Sequence, residues 1–459
     1  MRIIYFDIDC LRPDHLGCYG YNRPTSPAID AIAREGMRFN NYYCASSPCL
    51  PSRTALMSGR FGIRNGVISN HGAGADFFID RKIYGGPIED NDVFPRRLIA
   101  NGYETVCFSN FADRHHAMWY TCGWSEFHTV NLKGGGETAP EVNEKVLRWL
   151  KNNATRENYY LHINYWDTHR TYRMDESWSN RFKDYPVTQE WPDEAAIKKH
   201  QKITGPFTSH QQFANDESPY PLMPGAINNR SDFEKMVTAY DSSIAFVDHH
   251  VKQVLDELER QGVIDDAVIV ISGDHGDAFG EHGIYSDHVN IDECVQRVPL
   301  IIRWPGITKP DSSSNALMYN VDYAPTVCDM LGFEIPSDWD GKSYAGNITG
   351  EVEANREYLV WDSGLYTVQR AVRTKTHLYI RTFDSYDYNN WQDEELYDIT
   401  NDRFQTRNLA EACPDILEDC RNKMGEWLEE QKAKKNWRYD PINVILEERG
   451  MPGSKDLLQ

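Results

Sequence analysis

The sequence predicts an α/β protein: a large mixed, mostly parallel sheet sandwiched by helices, then a small C-terminal antiparallel sheet with one covering helix. Three features predict it. Residues 267–271 (Ala-Val-Ile-Val-Ile) form an unbroken apolar run, the pattern of a parallel strand buried on both faces. Residues 232–261 carry Phe233, Met236, Val237, Tyr240, Ile244 and Val251 at helical spacing, a stripe that would cover such a sheet. Beyond Gly341 the pattern changes to short strands at 358–361, 366–373, 377–381 and 395–399, then a helix at about 414–432. The main domain is therefore placed at residues 1–345, with an insertion at about 170–230, and a C-terminal α+β subdomain at 346–459.

Residues 2–9 alternate as a strand, with Ile4, Phe6 and Ile8 on one face and Tyr5, Asp7 and Asp9 on the other. Asp9 lies at its carboxyl end, where ligands gather in open α/β sheets. Residues 27–38 have helical spacing and stop near Gly36; 39–43 are strand-like. The run Cys49-Leu50-Pro51-Ser52-Arg53 follows. Pro51 and Ser52 suit the first positions of a helix. Cys49 then sits at a helix N-terminus, where orphan N–H groups favour an anion such as a thiolate. Arg53 adds a permanent cation one turn inside. The loop 65–72 holds His71, equally a pocket residue or a loop histidine with no role.

Residues 94–101 read as a helix and 102–108 as a strand leading into Ser109–His116; 142–150 is a helix and 159–165 a strand ending in Trp166-Asp167-Thr168-His169. The insertion at 170–230 is polar and aperiodic, and its Trp178 and Trp191 are equally suited to stack on sugar rings or to pack it onto the body. The strand at 266–272 delivers Asp274 and His275 to its carboxyl end, where oxygen donors and one imidazole suit a divalent cation. Gly280-Glu281-His282-Gly283 and Asp287-His288 come next, then a buried strand at 298–304 and a helix opening within 319–331.

A net charge of −21 over 459 residues argues against nucleic acid as a partner, so any anion site must be a local basic pocket. The ten cysteines show no paired pattern and read as reduced thiols. Residues 1–9 are too short and too acidic for a signal peptide, and no apolar stretch is long enough to span a membrane. The expected location is cytoplasmic. Oligomeric state is not legible.

The run Cys49-Leu50-Pro51-Ser52-Arg53 with Gly59-Arg60 resembles the signature of the type I, formylglycine-dependent sulfatases of the alkaline phosphatase superfamily. Asp9-Cys10-Leu11-Arg12, Asp274-His275-Gly276, Gly280-Glu281-His282-Gly283 and the segment 319–331 resemble the family in the same order, and the likeness covers nearly the whole chain. It implies an alkaline phosphatase-like fold and oxidation of Cys49 to 3-oxoalanine (formylglycine) by a formylglycine-generating maturation enzyme. It also implies a divalent metal, Ca²⁺ first with Mg²⁺ or Mn²⁺ as alternatives, on Asp9, Asp274, His275 and the modified Cys49. Arg53 would neutralise charge at the nucleophile, and His169 or His288 would contact the sulfate ester and protonate the departing alcohol.

The chain departs from the family pattern in three places. Cys10 stands where many members carry a second Asp, which leaves Asp7 as a candidate for the missing oxygen. The Gly-Lys-Trp-His of relatives is replaced by Ser109–His116, so the sulfate-holding Lys is missing and Asn110, His115 or His116 is left to substitute. A second family Lys aligns with Asp287 or His288; His288 is preferred because an anion site needs a donor. The resemblance implies hydrolysis of a sulfate ester, with a small sulfated saccharide as the expected substrate. The alternatives are a phosphonate monoester or phosphodiester hydrolase of the same superfamily, and a catalytically silent sulfated-glycan binder with Cys49 unmodified.

Overall fold

Strand Arg2–Ile8 forms the axis of the fold. It pairs in parallel with Tyr159–Tyr165 on one side and with Ala267–Gly273 on the other. The computed structural model describes residues 1–78, 93–210, 212, 220–434 and 437–451; the remainder of the predicted insertion and C-terminal subdomain lies outside the described residues. Across the main sheet the order is Ser312–Tyr319, Met37–Tyr43, Leu300–Arg303, Ala267–Gly273, Arg2–Ile8, Tyr159–Tyr165, Glu104–Phe108 and Glu126–His128. Every pairing is parallel except those of Leu300–Arg303, which runs antiparallel to both neighbours.

Both edge strands escape the sequence patterns. Ser312–Tyr319 begins Ser-Ser-Ser-Asn and Glu126–His128 is three residues long, so neither carries the apolar run of a central strand.

Alternation along the central strand splits the core into two layers. Ile4, Phe6 and Ile8 pack with helices Pro27–Glu35, Ala139–Asn153 and Arg230–Arg260. Ile3 and Tyr5 pack on the opposite face with Leu50, Leu56 and Met57 of helix Cys49–Ser58 and with helix Tyr323–Met330. Helix Ala139–Asn153 starts earlier than its apolar spacing predicts because Thr138 and Glu141 form a capping box.

The second sheet runs Glu394–Asp398, His377–Asp384, Val368–Arg373, Leu359–Ser363, and takes its edge from Ser46–Ser47. That last pairing is parallel, Asp362 with Ser46 and Ser363 with Ser47, so the segment leading into Cys49 is an edge of the C-terminal sheet. Helix Pro414–Ala433 packs on this sheet through Leu417, Cys420, Met424 and Trp427.

Register places the site. Ile8 is level with Tyr165 and with Gly273, so the chain leaves three central strands at one height. Asp9, Asp274 and the turn 166–169 therefore emerge together at the carboxyl edge.

Candidate active site

Helix Cys49–Ser58 is wholly buried and ends at Gly59, whose φ of +63° is the left-handed conformation glycine accepts freely. It begins at Cys49 itself, two residues earlier than the sequence suggests. Pro51 is tolerated because N–H groups of the first turn have no helical acceptor. Ser52 does not cap: its hydroxyl donates to the Asp274 carbonyl at 2.6 Å, and Asn320 donates to the Ser52 carbonyl and hydroxyl at 2.9 and 3.0 Å. These bonds fasten the Cys49 helix to the strand end that carries Asp274. The Leu50 N–H donates to the Asn70 side chain at 3.1 Å.

Asp9, Cys49, Asp274 and His275 each bring one ligand atom within 4.8 Å of the other three, and all four are buried. Cys49 Sγ lies 3.1 Å from His275 Nε2. His275 Nδ1 donates to the Gly276 carbonyl at 2.9 Å, which leaves Nε2 as a lone-pair donor. Burial and the neighbouring His288 push His275 down to about 3, so it stays the neutral imidazole that binds metals. Thr168 donates its hydroxyl to the Asp9 carbonyl, and the Cys10 N–H donates to Asp274 Oδ1 at 3.1 Å.

Arg53 braces this cluster from behind. Its Nε and Nη2 grip Asp7 at 2.7 and 3.0 Å, and Nη1 reaches Asp9 at 3.0 Å and Asp274 at 2.5 Å. Asp7 is thus the counter-charge of Arg53, shared with His162 at 3.2 Å, and its oxygens are not in the ligand cluster. Burial opposes ionisation of Asp9, yet Arg53 outweighs it and holds that carboxyl well below the usual range. Asp274 goes the other way, raised by burial and by Asp9 and Asp7 against the pull of Arg53. Three dry carboxylates around one guanidinium call for another positive charge, and two carboxylates with an imidazole form the donor set of a divalent ion. The residues therefore fit the metal that the sequence implies.

Burial pushes the Cys49 thiol up to about 11, with Asp9 adding to it and His288 opposing. The helix N-terminus does not yield the thiolate expected from sequence, because a buried anion beside two carboxylates costs more than the helix end returns.

His169 and His288 approach from the far side, each with one ligand atom within 4.8 Å of Cys49 Sγ and of the other. His288 Nδ1 donates to Asp277 at 2.8 Å. Burial disfavours its charge, but Asp287 and Asp277 outweigh this and raise His288 well above the ordinary histidine value. His169 Nδ1 donates to the Arg170 carbonyl at 2.6 Å, and its Nε2 accepts from Arg114 Nη2 at 3.0 Å. Burial and Arg114 push His169 down to about 4, so it is neutral. Asp287 turns to its neighbour's backbone, accepting from the His288 N–H at 2.8 Å, and to Arg170 at 3.4 Å.

Asn110, expected among the substrate contacts, is not brought to this cluster. Its amide donates to Asn131 and to Glu137 at 3.0 Å, and its oxygen accepts from the Val130 N–H at 2.7 Å. Both ends of the side chain are spent on the loop 130–137. His116 is exposed, and His115 packs between Phe111 and Trp166. The cation on this loop that reaches the cluster is Arg114, over the Trp166 ring at 4.7 Å, with Arg53 over the same ring at 4.9 Å. Arg114 was legible as the sole Arg or Lys of residues 109–116, and Asp277 as the second acid of Asp-His-Gly-Asp. His71 is exposed and lines a cavity of about 270 Å³ with Tyr366, Tyr386 and Arg449. Trp178 stands edge-on to Phe246 at 4.9 Å and Trp191 stacks on Phe404 at 4.9 Å, so both pack the insertion onto the body.

Among the described residues no helix is long and apolar enough to cross a membrane. The sulfatase family model matches residues 2–333, and a model described as N-sulphoglucosamine sulphohydrolase, C-terminal, matches residues 280–434. An N-acetylglucosamine-6-O-sulfatase of Bacteroides thetaiotaomicron is 25% identical over 478 residues, spanning 89% of this chain and 82% of its own length. A solved structure of a protein in complex with its substrate D-glucosamine-2-N,6-O-disulfate superposes with a TM-score of 0.75 at 21% identity, covering 95% of this chain and 99% of the other. A phosphonate monoester hydrolase of Agrobacterium radiobacter superposes at 0.71 with 17% identity, covering 94% and 95%.

Proposed function

The chain belongs to the sulfatase family and is a sulfuric ester hydrolase, and from that premise we propose that it removes a sulfate group from a small sulfated saccharide, using position 49 as formylglycine. The observation that carries the reading is the convergence of Cys49, Asp9, Asp274 and His275 within 4.8 Å. The Cys49 thiol stands in for the hydroxyl-bearing aldehyde hydrate that a maturation enzyme would make there. A divalent ion on Asp9, Asp274, His275 and residue 49 (calcium first, magnesium or manganese otherwise) would supply Lewis-acid charge to a sulfate oxygen and to the nucleophile.

The chain's own residues supply the rest. Arg53, fixed by Asp7, holds positive charge beside the nucleophile and cannot swing away. Arg114 would donate to a sulfate oxygen in place of the family Lys, held in position by His169, whose Nε2 accepts from its Nη2. His288 is the acid: Asp277 fixes its Nδ1 proton, which leaves the other ring nitrogen to protonate the departing alcohol. This assignment is supported by opposite shifts: carboxylates raise His288 against its burial, while burial and Arg114 lower His169.

The saccharide is supported by the names of relatives, an N-acetylglucosamine-6-O-sulfatase and a structure holding a glucosamine disulfate. Ten cysteines without a disulfide support a reducing, cytoplasmic setting. A second reading, phosphonate monoester or phosphodiester hydrolysis, is favoured by one observation: the anion pocket lacks the family Lys and carries Arg114.

The test is turnover of a panel of sulfated mono- and disaccharides, an aryl sulfate and a phosphodiester by protein whose intact mass shows Cys49 converted, with Cys49→Ala as control. Saccharide desulfation lost in the control supports the proposal. Faster phosphodiester turnover favours the second reading. A chain that keeps its thiol when expressed with the maturation enzyme, and turns over nothing, overturns both in favour of a silent binder.

A further inference from the structure

A second group of donors overlaps the first. Cys10, His275, Asp277 and His288 each place one ligand atom within 4.8 Å of the other three, and all four are buried. A thiol, two imidazoles and a carboxylate are the donors of tetrahedral zinc sites, unlike the carboxylate-rich set of Asp9 and Asp274. We propose that this centre has a second, softer ion site on Cys10, His275, Asp277 and His288 that takes a thiophilic transition ion of the Zn²⁺ class and, when filled, inhibits the enzyme.

Cys10 is fixed for this role. Its backbone is left-handed at φ +53°, a conformation a non-glycine residue holds only under constraint. The constraints are its N–H on Asp274 Oδ1 at 3.1 Å and its carbonyl accepting from Tyr240 at 2.7 Å. The thiol has no solvent exposure and lies 3.0 Å from Asp9 Oδ1 and 3.8 Å from His288 Nδ1. Zinc bonds of about 2.0–2.3 Å set tetrahedral donors roughly 3.3–3.8 Å apart. Asp277 and His288 stand 2.8 Å apart through the hydrogen bond that the ion would replace. Binding releases the thiol proton and the Nδ1 proton of His288, and the filled site is neutral: one dication, one thiolate, one carboxylate, two imidazoles.

Two consequences follow from shared atoms. His275 belongs to both donor sets, and with its Nδ1 on the Gly276 carbonyl it has one nitrogen to give, so the two ions compete for it. An ion on His288 Nδ1 would also displace the Asp277 hydrogen bond that orients this ring beside residue 49. The inhibition rests on the sulfatase reading; the ion site does not.

The experiment uses Cys49→Ala protein, which has no sulfur at position 49, stripped with a chelator and titrated with Co²⁺ alone. A near-ultraviolet thiolate-to-cobalt band with strong visible absorption is expected, lost in Cys49→Ala/Cys10→Ser. Zn²⁺ inhibition of matured enzyme, each variant against its own uninhibited rate, should weaken roughly 10–100-fold in Cys10→Ser. Bound Co²⁺ without the band in Cys49→Ala overturns the site whether or not the Cys10 variant folds. A band or an inhibition constant unchanged by Cys10→Ser overturns it equally. Neither spectrum involves a substrate, so this failure is distinct from a failure to desulfate saccharides.

Discussion

His282→Gln tests how the catalytic strand end is tied to the C-terminal sheet. His282 lies in Gly280-Glu281-His282-Gly283, upstream of His288, with φ +46°. Its Nδ1 donates to Asp292 at 2.9 Å; Nε2 meets the Tyr397 hydroxyl at 2.9 Å and Glu395 at 3.5 Å; its ring stacks on Trp391 at 3.9 Å. Burial opposes its charge, but Asp292 and Glu395 prevail and raise it to about 10. Against an unfolded value of about 6.5, the rise is worth on the order of 5 kcal/mol at about 1.36 kcal/mol per unit. Because folding raises this pKa, the contribution is complete below about pH 6.5 and is lost as pH climbs through about 10. Thermal unfolding followed by circular dichroism at pH 6.5, 8 and 9.5 is the assay. Wild type should exceed His282→Gln by several degrees at pH 6.5, and the gap should close towards pH 10. A gap that is constant with pH refutes the buried imidazolium.

Three further outcomes are expected. His288→Ala should lower kcat on a saccharide sulfate by about 10²–10⁴-fold and much less on an aryl sulfate, whose leaving group needs no proton; equal losses would remove His288 as the acid. Arg114→Ala should raise KM by roughly 10–150-fold, the equivalent of a charged hydrogen bond worth about 1.5–3 kcal/mol, with Arg114→Lys recovering part of it; an unchanged KM would leave sulfate binding to other groups. Arg53→Lys should lose about 10²-fold or more in kcat, because a point charge cannot span Asp7, Asp9 and Asp274 as the planar fork does; a Lys variant at wild-type rate would show that its charge alone matters.

The central strands, and the clustering of Asp9, Asp274 and His275 at their carboxyl ends, were legible in the sequence. Apolar runs such as residues 267–271 are local signals, and acids directly after such strands have little choice but the carboxyl edge. The edge strands were not legible, because a strand paired on one side needs no continuous apolar run. Nor was the antiparallel course of Leu300–Arg303, since direction depends on neighbours far away in the chain. The same holds for Ser46–Ser47, whose partner lies more than 300 residues on.

Composition and order along the chain by themselves determined an α/β fold and singled out Cys49 as the candidate reactive position and Asp9, Asp274 and His275 as candidate cation ligands. Tertiary structure alone decided which side chains finish the site. Asn110 and Arg114 share one segment, and only the fold decides that loop 130–137 takes both ends of the amide but one nitrogen of the guanidinium, whose other terminal nitrogen meets His169. His169 and His288 look alike as letters, and only the fold shifts them in opposite directions: burial and then Arg114 lower His169, while Asp287 and Asp277 raise His288 against its burial. The physical reason is that strand and helix signals are written in neighbouring residues, whereas a side chain's charge and direction are set by whatever the fold packs against it.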